Sequence, residues 1–304
     1  MDTAGERLAA EPRAPAVGWS HRVEAAGAFV WFAMMRCLPL DAASALGGVL
    51  ARLIGPRLAV SRRARRNLAN ALPELSQAEQ RRIIGAMWDN LGRVGAEYPH
   101  LSHIGVFASG GRVEVCGLGH LQAALAAGRQ VIMFSAHLAN WEIGPLAAGQ
   151  YGLEMTQIYR AANNPLVDRM VARFRGAAGE FVPKGAAGSR RALAALRRGG
   201  HLALLIDQKL NDGIAVPFFG RPAMTAPALA LLALHFDCAV LPVRVERQRG
   251  ARFRLTVYPP LPLPRSGDRA GDIAAVMSAV NLTLEGWIRE RPEQWFWVHS
   301  RWPD

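Results

Sequence analysis

The sequence predicts an α/β fold, in which a mostly parallel sheet is flanked by helices, with a helical membrane-associating N-terminal segment ahead of it. From about residue 106 onward, short apolar stretches alternate with longer stretches of helical character. Hydrophobic residues make up 51% and charged residues 20% of the chain, a composition that can bury a large core. We divide the chain into a flexible leader (1–20), a helical N-terminal region (21–105) and an α/β domain (106–304).

The N-terminal region contains two apolar stretches. The leader is rich in Ala, Pro and Gly, and the run at 25–35 that follows it ends at Arg36. This run is shorter than the roughly 18 to 20 apolar residues that a spanning helix needs. We therefore expect a helix that lies in one leaflet, with the stretch at 45–55 beside it. A pair of ordinary core helices is the alternative, and a signal peptide is disfavoured because an acid-containing leader precedes the run.

A basic cluster follows these apolar stretches. Residues 61–75 contain four arginines, and each basic residue near anionic headgroups contributes about 1 kcal/mol to membrane binding. A solvated helix face is the alternative interpretation. Ser76 and Glu79 then have the spacing of a capping box, which predicts a helix that begins there and helical structure to about residue 105.

Beyond residue 105 the sequence alternates between the two kinds of element. Strands are predicted at 112–117, 130–137, 155–160, 180–184, 201–208, 239–248 and 252–260. Helices are predicted at 120–128, 140–152, 164–176, 188–200, 226–237 and 270–290. This alternation indicates a parallel sheet covered on both faces. The last two strands, joined by 249–251, are predicted to form a hairpin at the edge of the sheet.

The most informative short stretch is "HLANWE", which begins at His137 directly after an apolar strand. Ligands of open α/β sheets bind beyond the carboxyl ends of the strands. Glu142 lies in the first turns of the next helix, and a carboxylate on one imidazole nitrogen leaves the other free as a base. The chain has no GxSxG or HExxH motif, so we expect this base to activate a substrate hydroxyl. A histidine with a purely structural role is the alternative.

Charge and cysteine content limit the partners. The net charge is +12 and the pI about 10.9, which predicts anionic partners. Cys37, Cys116 and Cys238 are far apart, which argues against a disulfide scaffold or a zinc ribbon. The arginines are scattered over helices rather than interleaved with aromatic residues on one face, so we expect no nucleic-acid binding.

The stretch at 137–142 resembles the H-x4-D/E motif of glycerolipid acyltransferases, in the glutamate form of the lipid A late acyltransferases. Four further blocks resemble that family in the same order, at residues 159–175, 182–209, 216–234 and 292–302. The resemblance extends over about residues 25–302. The chain is thus identified as a member of the lauroyl-type lipid A biosynthesis acyltransferases.

The resemblance implies transfer of a fatty acyl chain from an acyl-carrier-protein thioester to a hydroxyl of a lipid A precursor. It makes His137 the general base and Glu142 its orienting partner, with no metal and no cofactor besides the acyl-carrier-protein thioester. It implies three partners, namely acyl carrier protein, a phosphorylated glycolipid acceptor and an anionic membrane surface, at the cytoplasmic face of the bacterial inner membrane. A lysophospholipid or glycosyl-phospholipid acyltransferase that uses acyl-CoA or acyl carrier protein is the alternative. A non-catalytic binder of anionic membranes is a third.

Two strand ends and one loop supply the expected substrate-binding residues. Arg160 ends a strand at the same edge as His137 and is expected to hold a phosphate or assist the oxyanion. Asp207 and Gln208 follow a fully apolar strand, which favours a positioning role. Lys209 beside them is either a phosphate contact or solvated.

The loop at 183–191 is a candidate anion-binding site because glycines and backbone N–H groups open a helix there. Lys184 and Arg190 are its candidate ligands. A plain loop with a serine cap is the alternative. The stretch at 216–220 resembles a family loop that lines the acyl channel, although a core turn would have the same sequence.

Overall fold

The computed structural model describes residues 17–176 and 178–302. Most of the predicted leader lies outside these residues, and Trp19 and Ser20, which the prediction assigned to it, already belong to the first helix. Four helices form the N-terminal region: α1 Trp19–Arg36, α2 Leu40–Ile54, α3 Val60–Ala71 and α4 Gln77–Glu97. The capping box predicted at Ser76 and Glu79 is present at the start of α4. A short 3-10 helix, Tyr98–His103, ends the region.

Helices α2 and α4 pack closely because a glycine of each faces the other. A Cβ on Gly47 would overlap the carbonyl oxygen of Gly92, and a Cβ on Gly92 would overlap that of Gly47. This contact joins α2 to α4, which itself packs against the α/β domain through Ile84, Met87 and Trp88. The N-terminal helices are therefore anchored on the domain that follows them.

The outer side of α1 and α2 exposes many large apolar side chains, which we call the apolar surface. Trp19 is 78% and Phe29 65% exposed. The other members are Val23, Val30, Met34, Leu46, Val49, Leu53 and Ile54. Over the described residues, no single helix has the length and apolar character needed to cross a membrane; Leu40–Arg57 and Val60–Ala71, bent by 86°, meet that test only as a pair.

The α/β domain is built on a seven-stranded sheet with the order β1-β9-β8-β2-β5-β3-β4. Its strands are β1 Val113–Cys116, β2 Val131–Ser135, β3 Met155–Tyr159, β4 Glu180–Pro183, β5 His201–Leu205, β8 Ala239–Arg249 and β9 Arg252–Val257. Every neighbouring pair is parallel except β8 and β9. The prediction of a mostly parallel sheet is confirmed.

Helices cover both faces of this sheet, as predicted. They are α5 Leu118–Ala126, α6 Ile143–Tyr151, α7 Pro165–Arg175, α8 Ala186–Arg197, α9 Ala228–Phe236 and α10 Arg269–Glu290. Side chains of α8, α9 and α10 share one core with Ile132 and Phe134 of β2. Side chains of α5 and α6 share the other core with Val131 of the same strand. Alternate residues of β2 therefore enter opposite cores.

Two details of the sheet differ from the prediction. The β8–β9 hairpin does not form the edge, because β1 pairs with β9 on its outer side. A second antiparallel hairpin, β6 Ile214–Phe218 with β7 Arg221–Thr225, occupies a stretch for which no strand was predicted. Its turn places Phe219 and Gly220 at φ values of 51° and 67°, as a two-residue hairpin turn of the I′ kind requires.

The chain ends in a buried aromatic segment that closes over this hairpin. Trp295 and Trp297 are fully buried, and the ring of Phe218 packs against Trp295 with 5.8 Å between ring centroids. Arg301 is also fully buried and donates to Thr225 Oγ1 at 2.9 Å. The stretch at 216–220 thus has the structure of a core turn.

Candidate active site

The centre of the site is His137, two residues beyond the end of β2. Strands β2 and β5 are paired so that Ser135 lies beside Leu205, and Ile206 N donates to Ser135 O at 3.0 Å. The residues two positions beyond each strand, His137 and Asp207, are therefore brought together at the carboxyl edge of the sheet. The sequence prediction placed both residues at this edge, and the structure confirms that placement.

Asp207 is the carboxylate that binds the His137 ring. Its Oδ1 lies 2.8 Å from His137 Nδ1, and its Oδ2 accepts from the His137 backbone N–H at 2.9 Å and from Trp295 Nε1 at 2.8 Å. Burial opposes ionisation, but the attraction and hydrogen bonds of His137 hold the pKa of this carboxyl well below its ordinary value. Because a carboxylate can only accept, Nδ1 carries the hydrogen and Nε2 is left as the basic nitrogen.

The geometry corrects the predicted role of Glu142. Its carboxylate is 2% exposed and accepts from Arg175 at 2.7 and 2.9 Å and from Tyr98 Oη at 2.8 Å. Among the described residues, no hydrogen bond joins it to His137. Trp141 contacts both, because its ring lies 5.2 Å from the His137 ring and its Nε1 donates to Glu142 at 3.1 Å. Glu142 therefore anchors a buried ion pair next to the histidine, and Asp207 takes the orienting role.

Burial changes the pKa values of Tyr98 and Arg175, the two hydrogen-bond partners of Glu142. It raises the pKa of Tyr98 well above its ordinary value, and the Glu142 carboxylate raises it further. Tyr98 is thus a neutral donor. Burial also disfavours the charged form of Arg175, but the hydrogen bonds that it donates to Glu142 and the charge of that carboxylate outweigh the penalty and raise the pKa of Arg175. The Arg175 guanidinium further lies over the ring of Phe181 at 4.5 Å.

A third buried group adjoins the pair. The ring of His299 lies 6.0 Å from that of His137 and 5.1 Å from that of Trp295. The residue as a whole is half-buried, but both ring nitrogens are shielded from solvent and have no hydrogen-bond partner among the described residues. Burial lowers the pKa of His299 to about 4, against the opposing effect of Asp207, so that the ring is neutral.

His137 opens into a cavity of about 350 Å³, which we call the His137 cleft. Arg160, Lys184, Gln208 and Lys209, which were predicted to bind substrate, line it. None of its described lining residues is acidic. Burial lowers the pKa of Lys184, and the positive charge of nearby Arg160 lowers it further. The cleft thus combines a basic imidazole with four cationic side chains, Arg160, Arg175, Lys184 and Lys209, of which Arg175 is paired with Glu142. It suits a ligand that carries negative charge.

Strand pairing also explains why Arg160 and Lys184 lie at the same place in the cleft wall. Tyr159 lies beside Pro183 in the β3–β4 pair, and Lys184 N donates to Tyr159 O at 2.8 Å. Arg160 and Lys184 each follow one of these paired residues. Arg190 was expected to join them, but it lies exposed on α8 and does not line the cleft. The serine cap of the alternative interpretation is absent as well, because Gly185 precedes α8 and Ser189 lies inside it.

A second cavity, mostly apolar and of about 80 Å³, lies between the sheet and α6; we call it the inner cavity. It shares six wall residues with the His137 cleft: Trp141, Ile158, Tyr159, Arg175, Leu204 and Leu205. Its other lining residues include Met133, Ser135, Gly144, Pro145, Ala148, Phe181, Ala203, Val243 and Val245. The two cavities therefore place an apolar space directly beside the histidine.

The turn that carries His137 is fixed from two sides. Ala139 has a positive φ of 49°, and its backbone O accepts from Asn90 Nδ2 of α4 at 3.0 Å. Asn140 Nδ2 donates to the buried Glu97 at 2.8 Å. On the other side, the C-terminal segment pairs with the turn at Leu138 and Trp295. Both the N-terminal helices and the chain end thus position the histidine.

No role was predicted from the sequence for Arg175, Tyr98 or His299. Arg175 ends α7 and Tyr98 follows α4, so nothing local connects either of them with Glu142. The one usable signal for His299 was its place in the block at 292–302, which resembled the family. These groups meet only through the packing of distant elements.

The chain is similar to known acyltransferases. The model of the family described as "Bacterial lipid A biosynthesis acyltransferase" matches residues 19–304. A lipid A biosynthesis acyltransferase of Haemophilus influenzae is 23% identical over 87% of this chain and 83% of its own. The lipid A biosynthesis lauroyltransferase of Escherichia coli is 27% identical over 78% of this chain and 76% of its own. A phosphatidylinositol mannoside acyltransferase of Mycobacterium tuberculosis is 28% identical over the same two shares, 78% and 76%.

The family match spans nearly the whole chain, including every residue of the cleft and of the inner cavity. The chain therefore belongs to the bacterial lipid A biosynthesis acyltransferase family, and it is an O-acyltransferase that acts on a lipid acceptor.

Proposed function

We propose that this protein transfers a fatty acyl chain from an acyl-carrier-protein thioester to a hydroxyl of a lipid A precursor, with His137 as general base. The observation that supports this most is the hydrogen bond between His137 Nδ1 and Asp207 Oδ1, at 2.8 Å, beside the apolar inner cavity. The reaction needs a base to remove the proton of the hydroxyl and an apolar space to bind the acyl chain.

In the proposed reaction His137 Nε2 takes the proton of the acceptor hydroxyl. The oxygen attacks the thioester carbonyl, and the Asp207 carboxylate stabilises the imidazolium that forms. The new C–O bond gives a tetrahedral oxyanion, for which Arg160 and Lys184 are the nearby cations of the cleft. The C–S bond then breaks, and the thiol leaves with the proton returned by His137.

The test is an acyl-transfer assay with purified protein, lauroyl thioester of acyl carrier protein and a lipid A precursor, read by mass spectrometry. We expect a product heavier by one acyl group. His137→Ala should reduce its formation by about 10²- to 10⁴-fold, the usual contribution of a general base. His235→Ala, which changes an exposed histidine on α9, is the matched control. Equal rates for both variants would refute the role of His137.

The acceptor is proposed to bind through its phosphate groups, because the lining of the cleft is cationic. The mycobacterial relatives make a glycosyl-phospholipid acceptor the second candidate, since the chain is as similar to them as to the lipid A enzymes. The same assay with a phosphatidylinositol mannoside decides between the two. Preference for that acceptor over the lipid A precursor would overturn the acceptor class but leave acyl transfer intact.

The acyl carrier protein is proposed to dock on α8. Gly185, which precedes this helix, and Ser189 in its first turn line the cleft, and Arg190, Arg191, Arg197 and Arg198 are exposed along the helix. An acidic carrier would be attracted to such a surface. We expect Arg190→Glu with Arg197→Glu to raise the KM for the carrier-protein thioester about tenfold or more and to leave the KM for the coenzyme A thioester unchanged. Arg269→Glu, at an exposed position of α10, is the control.

The membrane is proposed to bind the apolar surface of α1 and α2, at the cytoplasmic face of the bacterial inner membrane. Four exposed arginines of α3, Arg62, Arg63, Arg65 and Arg66, lie next in the chain. Sedimentation with phosphatidylglycerol vesicles tests this. Phe29→Ser with Val30→Ser should abolish binding, whereas Leu282→Ser, which changes a side chain 69% exposed on α10, should not. Binding unaffected by the α1 changes would refute the proposed surface.

A further inference from the structure

A third cavity continues the inner cavity on the side away from His137. It has a volume of about 30 Å³, and we call it the far cavity. Its walls include the apolar side chains of Leu118, Leu121, Tyr151 and Leu153. Four residues line both the inner and the far cavity: Met133, Gly144, Ala148 and Val243. The His137 cleft, the inner cavity and the far cavity thus adjoin one another in series.

The inner cavity exists because the side chains of α6 that face the sheet are small. Met133 and Ser135 of β2 line the inner cavity below α6, and α6 presents Gly144, Pro145 and Ala148 to it. A Cβ built on Gly144 would meet no heavy atom within 4 Å. Protein interiors are normally packed without such gaps, so a helix of small side chains over a strand leaves room for a ligand.

Met133 is the one long side chain among the four residues that the two cavities share. The other three, Gly144, Ala148 and Val243, are too short to divide the space by themselves. An unbranched methionine fills irregular gaps and can be replaced by a ligand methylene chain of similar width. Its place between the two cavities makes it the end wall of the inner cavity.

We propose that Met133 and Gly144 set the length of the acyl chain that the protein transfers. This rests on the proposed function: with the thioester carbonyl beside His137, the chain enters the inner cavity past Trp141 and Tyr159 and ends at Met133. Chains that are too long for the inner cavity are excluded because the Met133 side chain closes the way to the far cavity. Gly144 keeps the passage open along the helix side.

Two substitutions with opposite expected effects test the proposal. Met133→Ala joins the two apolar cavities and should shift the preferred donor toward longer chains. Gly144→Leu places a side chain in the open space and should shift it toward shorter ones. The matched control is Gly119→Leu, at an exposed helical glycine of α5 where a Cβ also meets nothing within 4 Å.

The measurement is the kcat/KM for thioesters from decanoyl to stearoyl. We expect the palmitoyl-to-lauroyl ratio to rise about tenfold or more in Met133→Ala and to fall as much in Gly144→Leu. Gly119→Leu should retain the wild-type ratio. If Met133→Ala does not fold, Gly144→Leu alone decides. An unchanged ratio in a folded, active variant would overturn the proposal.

A second readout separates this proposal from the proposed function. Free fatty acids of graded length displace a dansyl-labelled fatty acid from the folded protein, and no transfer is needed for that measurement. A shift of the best competitor toward longer acids in Met133→Ala supports the end-wall role even where the wild type transfers no acyl group. If the wild type transfers acyl groups but the best competitor has the same length in Met133→Ala as in the wild type, only the role of Met133 is contradicted.

Discussion

His137 Nδ1 lies 2.8 Å from Asp207 Oδ1, although the two residues are 70 positions apart in the chain. They meet because β2 and β5 are neighbours whose last residues, Ser135 and Leu205, are in register. The carboxylate that orients the histidine is therefore supplied by the sheet and not by the helix that follows the histidine. This relationship decides which substitutions should affect the chemistry and which should affect stability.

Asp207→Asn should impair the reaction nearly as much as loss of the imidazole. The amide cannot stabilise an imidazolium, and its N–H₂ can turn toward His137 and favour the wrong tautomer. We expect kcat/KM to fall by about 10³- to 10⁴-fold, while circular dichroism shows the fold retained. Asp212→Asn, at an exposed position, is the control. A fall of less than tenfold would mean that Asp207 does not orient the base.

Glu142→Gln should act mainly on stability. It leaves the Arg175 guanidinium buried without its partner, and such a loss costs about 3 to 5 kcal/mol of unfolding free energy. Urea unfolding measures this, with Glu74→Gln as control because the Glu74–Arg289 pair is exposed on both sides. If Glu142 instead oriented His137, the variant would lose its rate while its unfolding midpoint stayed that of the wild type.

The alternation of strands and helices was enough to predict the sheet, its coverage on both faces and the edge at which the site lies. Strand order was not available from the sequence, because several strands are mainly apolar and any of these could have been the neighbour of β2. The partner of His137 depended on that order, and the nearby Glu142 was chosen for its proximity in the chain. The β6–β7 hairpin was missed for another reason: Pro217 and Pro222 interrupt it, and prolines usually argue against a strand.

The buried pair of Glu97 and Arg247 should hold the His137 turn to α4. Arg247 donates to both carboxylate oxygens of Glu97, at 2.5 and 3.0 Å, and Asn140 of the turn binds the same carboxylate at 2.8 Å. Glu97→Gln should therefore cost about 3 to 5 kcal/mol of unfolding free energy. The double variant Glu97→Leu with Arg247→Met should cost less than either single change, because it leaves no unpaired charge.

Both effects are read by urea unfolding of Glu97→Gln, of the single variants Glu97→Leu and Arg247→Met, and of the double variant, each beside the wild type. Losses that simply add in the double variant would show that the two residues do not act as a buried pair.

His299 should make the protein less stable as the pH falls below neutrality. Burial lowers its pKa from 6.5 to about 4 in the folded protein. Between those two values the unfolded chain binds a proton that the folded chain does not, so stability falls with falling pH. The full difference is about 3 kcal/mol, since one pKa unit corresponds to 1.36 kcal/mol. His299→Phe keeps a ring among Trp295 and Phe296 but removes this titration.

Urea unfolding at pH 7.5 and at pH 4.5 measures the effect, and the wild type should lose more stability than His299→Phe between the two. Asp207 does not confound the comparison, because its lowered pKa acts only as the pH falls below its ordinary value of 3.8. His201, whose pKa burial also lowers, contributes equally to both proteins. Parallel losses in the two proteins would show that the folded protein binds this proton as readily as the unfolded chain. The pKa of His299 would then not be lowered, and its ring beside His137 would not be held neutral at pH 4.5.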